Sequence, residues 1–184
     1  MTRIQALNPD EANGKTKELF NTVQSKLGVV PNMMRTMGNA PALLEGYLSF
    51  SGALAKGKLG VKVGELLALA ISESNSCDYC LSAHTFIGSN LVKLDEEALS
   101  AARLGKSSDG KTEGILKFAN VLVSKGGLVN DSDVSEAKAA GITDEELSEI
   151  VGHVALNVLT NYFNNTANTQ VDFPVVTAYA NAKN

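Results

Sequence analysis

The sequence predicts an all-helical protein. Apolar residues recur at intervals of three and four, which is the period of a helix rather than the period of two that a strand shows. Residues that start and stop helices also follow one another at short intervals. With 184 residues, 44% of them hydrophobic, the chain can bury a core without disulfide support. We therefore expect one compact helical domain over residues 1–184.

The first predicted helix runs from Asp10 to Leu27. Gly28 ends it, because glycine readily takes the left-handed conformation that follows a helix, and Pro31 prevents its continuation. A short helix from Met33 to Met37 is expected next. The inner stripe of the first helix is predicted to consist of Leu19, Phe20, Val23 and Leu27.

Two longer helices follow. Pro41, which is favourable in the first turn of a helix, opens a segment through Lys56 that a glycine-rich stretch then interrupts. The next helix, from Val61 to Ser74, is so apolar that it should be central to the fold, and it carries Glu65 near its start. The inner residues of the Pro41 helix are predicted to be Leu43, Leu44, Tyr47, Leu48 and Leu54.

The motif Cys77-Asp78-Tyr79-Cys80, with His84 four residues later, contains both cysteines and one of the two histidines of the chain. Residues 74–76 are a polar joint with capping side chains, so a helix is expected to begin beside Cys77 and to reach about Leu91. Spacings of three and four then place Cys77, Cys80 and His84 on one helix face, with neighbouring Cβ atoms roughly 5–6 Å apart.

Four further helices follow the same start and stop rules, with loops at residues 106–111 and 126–132. The last one opens with a capping box formed by Thr143 and Glu146. Its apolar residues cover more than one stripe, so it must be buried on several sides, within the subunit or against another subunit. The four helices are predicted to run from Asp95 to Gly105, from Lys111 to Ser124, from Asp133 to Ala140 and from Thr143 to about Ala167.

Composition excludes several classes of partner. A formal charge of −4, with no basic run and no tryptophan, argues against a nucleic-acid binder, which needs clustered Lys and Arg to meet phosphates. No apolar stretch approaches the roughly 20 residues of a membrane helix, and residues 1–10 lack the apolar core of a signal peptide. The expected location is the cytoplasm, where a Cys-x-x-Cys pair cycles or binds metal rather than holding a fold together.

The motif predicts thiol chemistry. A cysteine with a pKa of about 8.5 is mostly protonated at neutral pH and needs help to react. The amides and dipole of a helix N-terminus favour the anion most directly at Cys77, whereas His84 can take the proton of Cys80. A second thiol within reach lets a sulfenic acid condense to a disulfide. The combination is typical of a two-cysteine peroxidase or a thiol-disulfide exchanger.

The chain resembles the alkylhydroperoxidase D-like, carboxymuconolactone decarboxylase superfamily, and within it the peroxidase-related branch. The resemblance covers most of the chain and depends on Glu65, eleven intervening residues, and Cys77-x-x-Cys80-x-x-x-His84. It extends to residues 72–84, 155–164 and 171–174.

The resemblance implies a role for each motif residue. Cys80 would be the sulfur that attacks a small hydroperoxide and Cys77 the resolving sulfur, with His84 and Glu65 as a proton relay. Tyr79 stands where the best-described members carry a histidine, and its hydroxyl could donate to a bound oxygen. No cofactor is implied; the reductant would be a thiol or a lipoyl-type dithiol, and the assembly a trimer or a hexamer.

Other interpretations remain open from the sequence. The thiols could be inert core residues, or Cys77, Cys80 and His84 could bind zinc with His153 or Glu65 as the fourth ligand. Glu65 could have no role beyond complementing the helix dipole from a first turn. His153 is interpreted as a core histidine whose hydrogen bonds are satisfied. The superfamily also includes decarboxylases, which would make the chain a lyase, and a disulfide exchanger without peroxidase turnover is a further alternative.

Overall fold

The computed structural model describes residues 1–182, and within that range the regular structure consists of helices alone. This confirms the predicted all-helical class. In chain order the helices are α1 (Gly14–Leu27), α2 (Asn32–Met37), α3 (Pro41–Leu54), α4 (Gly60–Ser74), α5 (Asp78–Asn90), α6 (Glu96–Arg103), α7 (Gly110–Ser124), α8 (Asp131–Ala139) and α9 (Asp144–Ala167).

Helix α4 is central, as its apolar sequence predicts. It packs against α5, α6, α7 and α9, and every residue from Leu66 to Ser72 is buried. Each fully buried leucine or isoleucine contributes about 1.5–3 kcal/mol relative to an exposed one, so α4 anchors the fold. No helix among residues 1–182 combines the length and the apolar character that crossing a membrane requires.

Two apolar clusters fill the interior. The larger one surrounds α4 and includes side chains of α6, α7 and α9. The smaller one joins α1, α2 and α3 to the start of α5, and Cys77 and Cys80 belong to it. The cysteines therefore lie where the N-terminal helices cover the motif helix.

The first helix begins four residues later than predicted. Asn8 accepts hydrogen bonds from the backbone N–H groups of Asp10, through its side chain, and of Glu11, through its carbonyl. These bonds hold residues 8–12 in a turn, and the positive φ of Gly14, 52°, separates the turn from α1. Leu27, predicted to be inside, is 50% exposed at the last turn of α1.

Side-chain caps set the starts of the five helices from α5 to α9. Thr143 and Glu146 form the predicted capping box of α9. Helix α8 begins two residues earlier than expected, because Asn130 is its N-cap and Asp133 is the third residue of a second capping box. Asp95 caps α6, as predicted.

Helix α3 is less buried than its sequence predicts. Of its five expected inner residues only Leu44 is fully buried, and the remaining four are partly exposed. Helix α3 packs against α1, α2 and α9 and leaves one side open. Tyr47, on α3, lines two cavities described below.

The exposed face of α9 is where we propose that the predicted homo-oligomer makes its contact. Val151, Ala155, Leu159 and Tyr162 are exposed and follow one another at helical spacing, so they form an apolar stripe on the surface of the subunit. We expect this stripe to be covered by another copy in a trimer or hexamer, since closed symmetric assemblies are usual for homo-oligomers.

Light scattering at micromolar concentration should then give a mass near three or six times the 19.3 kDa of the monomer. Leu159→Glu should lower that mass by placing a charge in the contact, while Leu128→Glu, at a residue that is 84% exposed outside the stripe, should not. A wild-type mass near 19.3 kDa would contradict the assembly and leave the stripe exposed.

Candidate active site

The chain reverses direction between α4 and α5 in three residues. Ser76 takes a left-handed conformation with φ 50°, and the backbone N–H of Cys77 then bonds to the Ser72 carbonyl at 3.0 Å. Cys77 is the N-cap of α5, and its Sγ accepts the backbone N–H of Cys80 at 3.4 Å. The prediction of a helix beginning beside Cys77 is confirmed, and the turn holds the two cysteines together.

Cys80 lies in the first turn of α5 and is 2% exposed, while Cys77 is completely buried. The side-chain amide of Asn164, on α9, donates to Cys80 Sγ at 3.2 Å. Both thiols are free, with no disulfide between them. Cys80 therefore has a polar partner from a distant helix, and its sulfur is the one that reaches the edge of the core.

The surroundings of the two sulfurs separate their acidities. The Cys77 thiol donates a hydrogen bond to Cys80, and this bond together with burial raises the pKa of Cys77. Burial disfavours the Cys80 thiolate, but the hydrogen bond from Cys77, the charge of His84 and the amide of Asn164 outweigh it and lower the pKa of Cys80 to about 6. The helix dipole alone predicts Cys77 as the more acidic thiol, so the local contacts reverse that order.

His84 and Glu65 form a pair beside the sulfurs. His84 Nδ1 lies 2.7 Å from Glu65 Oε2, and the two side chains are 24% and 15% exposed. Burial disfavours the imidazolium, but the charge of Glu65 and its hydrogen bond raise the pKa of His84. Because Nδ1 is occupied by the carboxylate, Nε2 is the nitrogen left for a reacting group.

Glu65 lies in the second turn of α4, which begins at Gly60. The alternative in which this carboxylate complements the helix dipole from a first turn is therefore wrong. Among residues 1–182 no group of three or more His, Cys, Asp and Glu side chains is arranged to hold a metal ion. The zinc interpretation thus lacks a ligand set in the described part of the chain.

Tyr79 makes a structural contact that its place in the motif does not reveal. Its hydroxyl accepts the backbone N–H of Met33 at 3.0 Å, and its ring packs edge-on against Phe173. Burial, with the nearby carboxylate of Asp172, raises the pKa of Tyr79. The hydroxyl thereby ties α2 to the motif helix, and its bond to Asp172 competes with the predicted donation to a bound oxygen.

An apolar cleft opens over Cys80 and His84. Its empty volume is about 770 Å³, and none of the residues that line it is a lysine or an arginine. Aromatic rings of Phe86 and Phe173 stand 5.7 Å apart in its wall. The cleft admits an apolar molecule to Cys80. Its remaining lining residues are Leu27, Val29, Pro31, Met33, Met34, Tyr47, Tyr79, Ala83, Ile87, Leu91 and Thr160.

A second, more polar cavity lies on the other side of the His84–Glu65 pair, and Tyr47, His84 and Thr160 line both spaces. His153 is buried there, as predicted, but its Nε2 has no hydrogen-bond partner among the described residues. Burial lowers the pKa of His153, so the ring is neutral near pH 7. His84 therefore borders both the apolar cleft and the more polar cavity, and Glu65 borders the cavity.

Three buried asparagines of α9 were missed at the sequence level. Asn157, Asn161 and Asn164 follow at intervals of four and three, so they form one polar stripe that faces the interior. Asn161 bonds to Ser72 at 3.1 Å, and Asn164 bonds to Cys80. Amides at helical spacing on an otherwise apolar helix were the available signal, because buried amides need partners.

Residues 41–123 match the carboxymuconolactone decarboxylase family. The matched segment runs from α3 into α7 and contains Glu65, Cys77, Cys80 and His84. No match is found among the curated proteins.

Several solved structures share the fold. A peroxidase-related protein from Ralstonia eutropha JMP134, an alkylhydroperoxidase AhpD core, superposes with a TM-score of 0.82 and 24% identity over 93% of this chain and 92% of that chain. A peroxidase-related protein from Silicibacter sp. TM1040 gives 0.77 and 21% over 91% of each chain. The debrominase Bmp8 gives 0.76 and 20% over 94% of this chain and 93% of that chain. The family match and the fold confirm the predicted resemblance.

Proposed function

We propose that this chain, whose residues 41–123 match the carboxymuconolactone decarboxylase family, is a thiol-dependent peroxidase that reduces hydroperoxides. The observation that carries the proposal is the Cys80 sulfur, acidified to a pKa of about 6, at the wall of an apolar cleft with a second thiol behind it. At pH 7 such a group is ~90% thiolate, so it is ready to attack.

In the first step the Cys80 thiolate attacks the terminal oxygen of the hydroperoxide. An S–O bond forms, the O–O bond breaks, and the departing alkoxide takes a proton from the His84 imidazolium to leave as an alcohol. Cys80 is oxidised to a sulfenic acid and the peroxide is reduced by two electrons. Glu65 holds His84 by Nδ1 and favours its charged form before the step.

In the second step the Cys77 sulfur attacks the Cys80 sulfenic sulfur. An S–S bond forms, and the hydroxyl group leaves as water with the proton of the Cys77 thiol. A dithiol must then reduce the disulfide by exchange and become oxidised itself. Because Cys77 is completely buried and Cys80 borders the cleft, a reductant with a narrow thiol-bearing arm, such as a lipoyl-type dithiol in the cytosol, suits this site.

A lyase acting on a carboxylated lactone is less well supported. Such a substrate carries negative charge, which a site normally meets with lysine or arginine. The residues that line the cleft include neither, and the nearby His84 is already paired with Glu65. The same thiol pair without peroxidase turnover would make a disulfide exchanger, which the titration below separates.

A second candidate function is reductive dehalogenation. The aromatic wall that Phe86 and Phe173 give the cleft favours a flat apolar substrate. A variant of the similarly folded debrominase Bmp8 was crystallised with 2,3,4-tribromopyrrole. Here the two thiols would supply two electrons, a C–Br bond would become C–H, and bromide, a proton and the Cys77–Cys80 disulfide would be the products.

The test is a titration of the reduced protein with an organic hydroperoxide. One equivalent should remove both free thiols, yield one equivalent of alcohol, and lower the mass by two hydrogens with no crosslink between chains, because the two cysteines are neighbours in one turn. A Cys77→Ser, Cys80→Ser double variant is the control. Intact thiols under excess peroxide would refute the proposal, and release of bromide from tribromopyrrole with intact hydroperoxide would favour dehalogenation.

A further inference from the structure

Three hydroxyl-bearing side chains line the cleft over Cys80, and two of them are committed elsewhere. Tyr79 accepts the backbone N–H of Met33 and bonds through its O–H to Asp172, and Thr160 donates to the carbonyl of Asn157 at 3.0 Å. The hydroxyl of Tyr47 accepts a hydrogen bond from Ser51, four residues along α3, which leaves its own O–H to donate. We propose that Tyr47 is a catalytic residue, whose hydroxyl donates a hydrogen bond to the oxygen that leaves when Cys80 cleaves the peroxide bond.

The position of Tyr47 suits this role. It comes from α3, and it lines the apolar cleft together with Cys80 and His84. It also lines the second cavity together with Glu65, so its side chain borders both of the spaces that meet at His84. The substrate would thus lie between the motif helix, which supplies the nucleophile and the proton, and α3, which supplies the donor.

The charge state of Tyr47 also suits a donor. Burial, followed by the negative charges of Cys80 and Glu65, raises the pKa of Tyr47 to about 12. The phenol therefore keeps its proton at neutral pH while lying close enough to both groups to respond to their charge. A protonated hydroxyl beside a thiolate can donate to an oxygen on which negative charge develops.

The inference rests on the proposed peroxidase function. It assigns proton donation to His84 and stabilisation of the developing charge to Tyr47. When the O–O bond breaks, charge accumulates on the leaving oxygen before the proton arrives from His84. A fixed donor stabilises that charge in the transition state and not in the bound substrate, which is the condition for raising the rate of the step. Hydroperoxides whose alcohols are weak acids depend most on this help.

The experiment compares Tyr47→Phe with wild type on two oxidants and one alkylating agent. With tert-butyl hydroperoxide, whose leaving alkoxide is strongly basic, the second-order rate of thiol oxidation should fall by roughly 10²-fold. With peracetic acid, whose leaving carboxylate is weakly basic, the loss should be several times smaller. With iodoacetamide at pH 8 the rate should stay near that of wild type, since iodide needs no donor and Cys80 is already a thiolate.

The control is Tyr179→Phe, whose ring stacks with Arg103 outside the cleft and which should match wild type in all three reactions. An unchanged rate of Tyr47→Phe with tert-butyl hydroperoxide would refute the role of Tyr47 while leaving the peroxidase function intact. Equal losses with all three reagents would also refute it, because they would indicate damage to the fold of the site. A wild-type protein inert to both oxidants would refute the peroxidase function, and this role with it.

Discussion

Replacement of Cys80 by serine is expected to abolish the reaction with organic hydroperoxides. The serine hydroxyl is not ionised at neutral pH, and it cannot accept an oxygen atom and later surrender it to a neighbouring thiol. The remaining Cys77 thiol is completely buried, and its pKa is raised by its hydrogen bond and by burial. Peroxide consumption by the reduced Cys80→Ser variant should fall to the level of the buffer.

Cys77→Ser is the matched control for this loss. Its Cys80 sulfur remains at the wall of the cleft with His84 and Asn164 beside it, so the variant should react once. Without a resolving thiol the product should stop as a sulfenic acid or oxidise further, which mass measurement reads as the gain of one or more oxygen atoms. If Cys77→Ser is inert and Cys80→Ser reacts, Cys77 is the attacking sulfur, as the helix dipole alone would predict.

The two cysteines show which features of the site can be predicted from the sequence and which cannot. Their spacing predicts that they lie together, and a cap and helix at Cys77 confirm it. The order of their acidities depends on a hydrogen bond between them and on the amide of Asn164, which is 84 positions along the chain from Cys80. The residues around the motif do not show that Asn164 contacts Cys80, so local propensity points to Cys77.

The same distinction between local signals and contacts of distant residues applies to the helix ends and to the two tyrosines. Helix ends set by caps, such as Thr143 for α9, were predictable because the capping chemistry is local. The predicted start of α1 at Asp10 was wrong because the backbone N–H of Asp10 donates to the Asn8 side chain, which holds that segment in a turn. Tyr79 stands out by its place in the motif, whereas Tyr47 reaches the cleft only because α3 packs against α2 and α9.

The second large effect is expected from the relay pair. His84→Ala and Glu65→Gln should each retain the fold, since both side chains are partly exposed, and each should slow peroxide reduction at pH 7 by roughly 10²-fold or more. In the proposed mechanism His84 supplies the proton to the leaving oxygen, and Glu65 keeps His84 charged. Glu45→Gln, which removes an exposed carboxylate paired with Lys15, is the control and should leave the rate unchanged.

The pH dependence distinguishes the proton donor from the charge that acidifies Cys80. With a pKa of about 6, the wild-type thiolate forms as pH rises through 6, so alkylation by iodoacetamide should rise there and then level off. His84→Ala removes a positive charge that favours the Cys80 thiolate. The midpoint of the alkylation curve should therefore move to higher pH in this variant. Glu65→Gln should move it in the same direction, because an uncharged neighbour lets the pKa of His84 fall.

Slow peroxide reduction with an unmoved midpoint would mean that His84 acts only as the proton donor, and unchanged peroxide rates in both variants would make the pair structural.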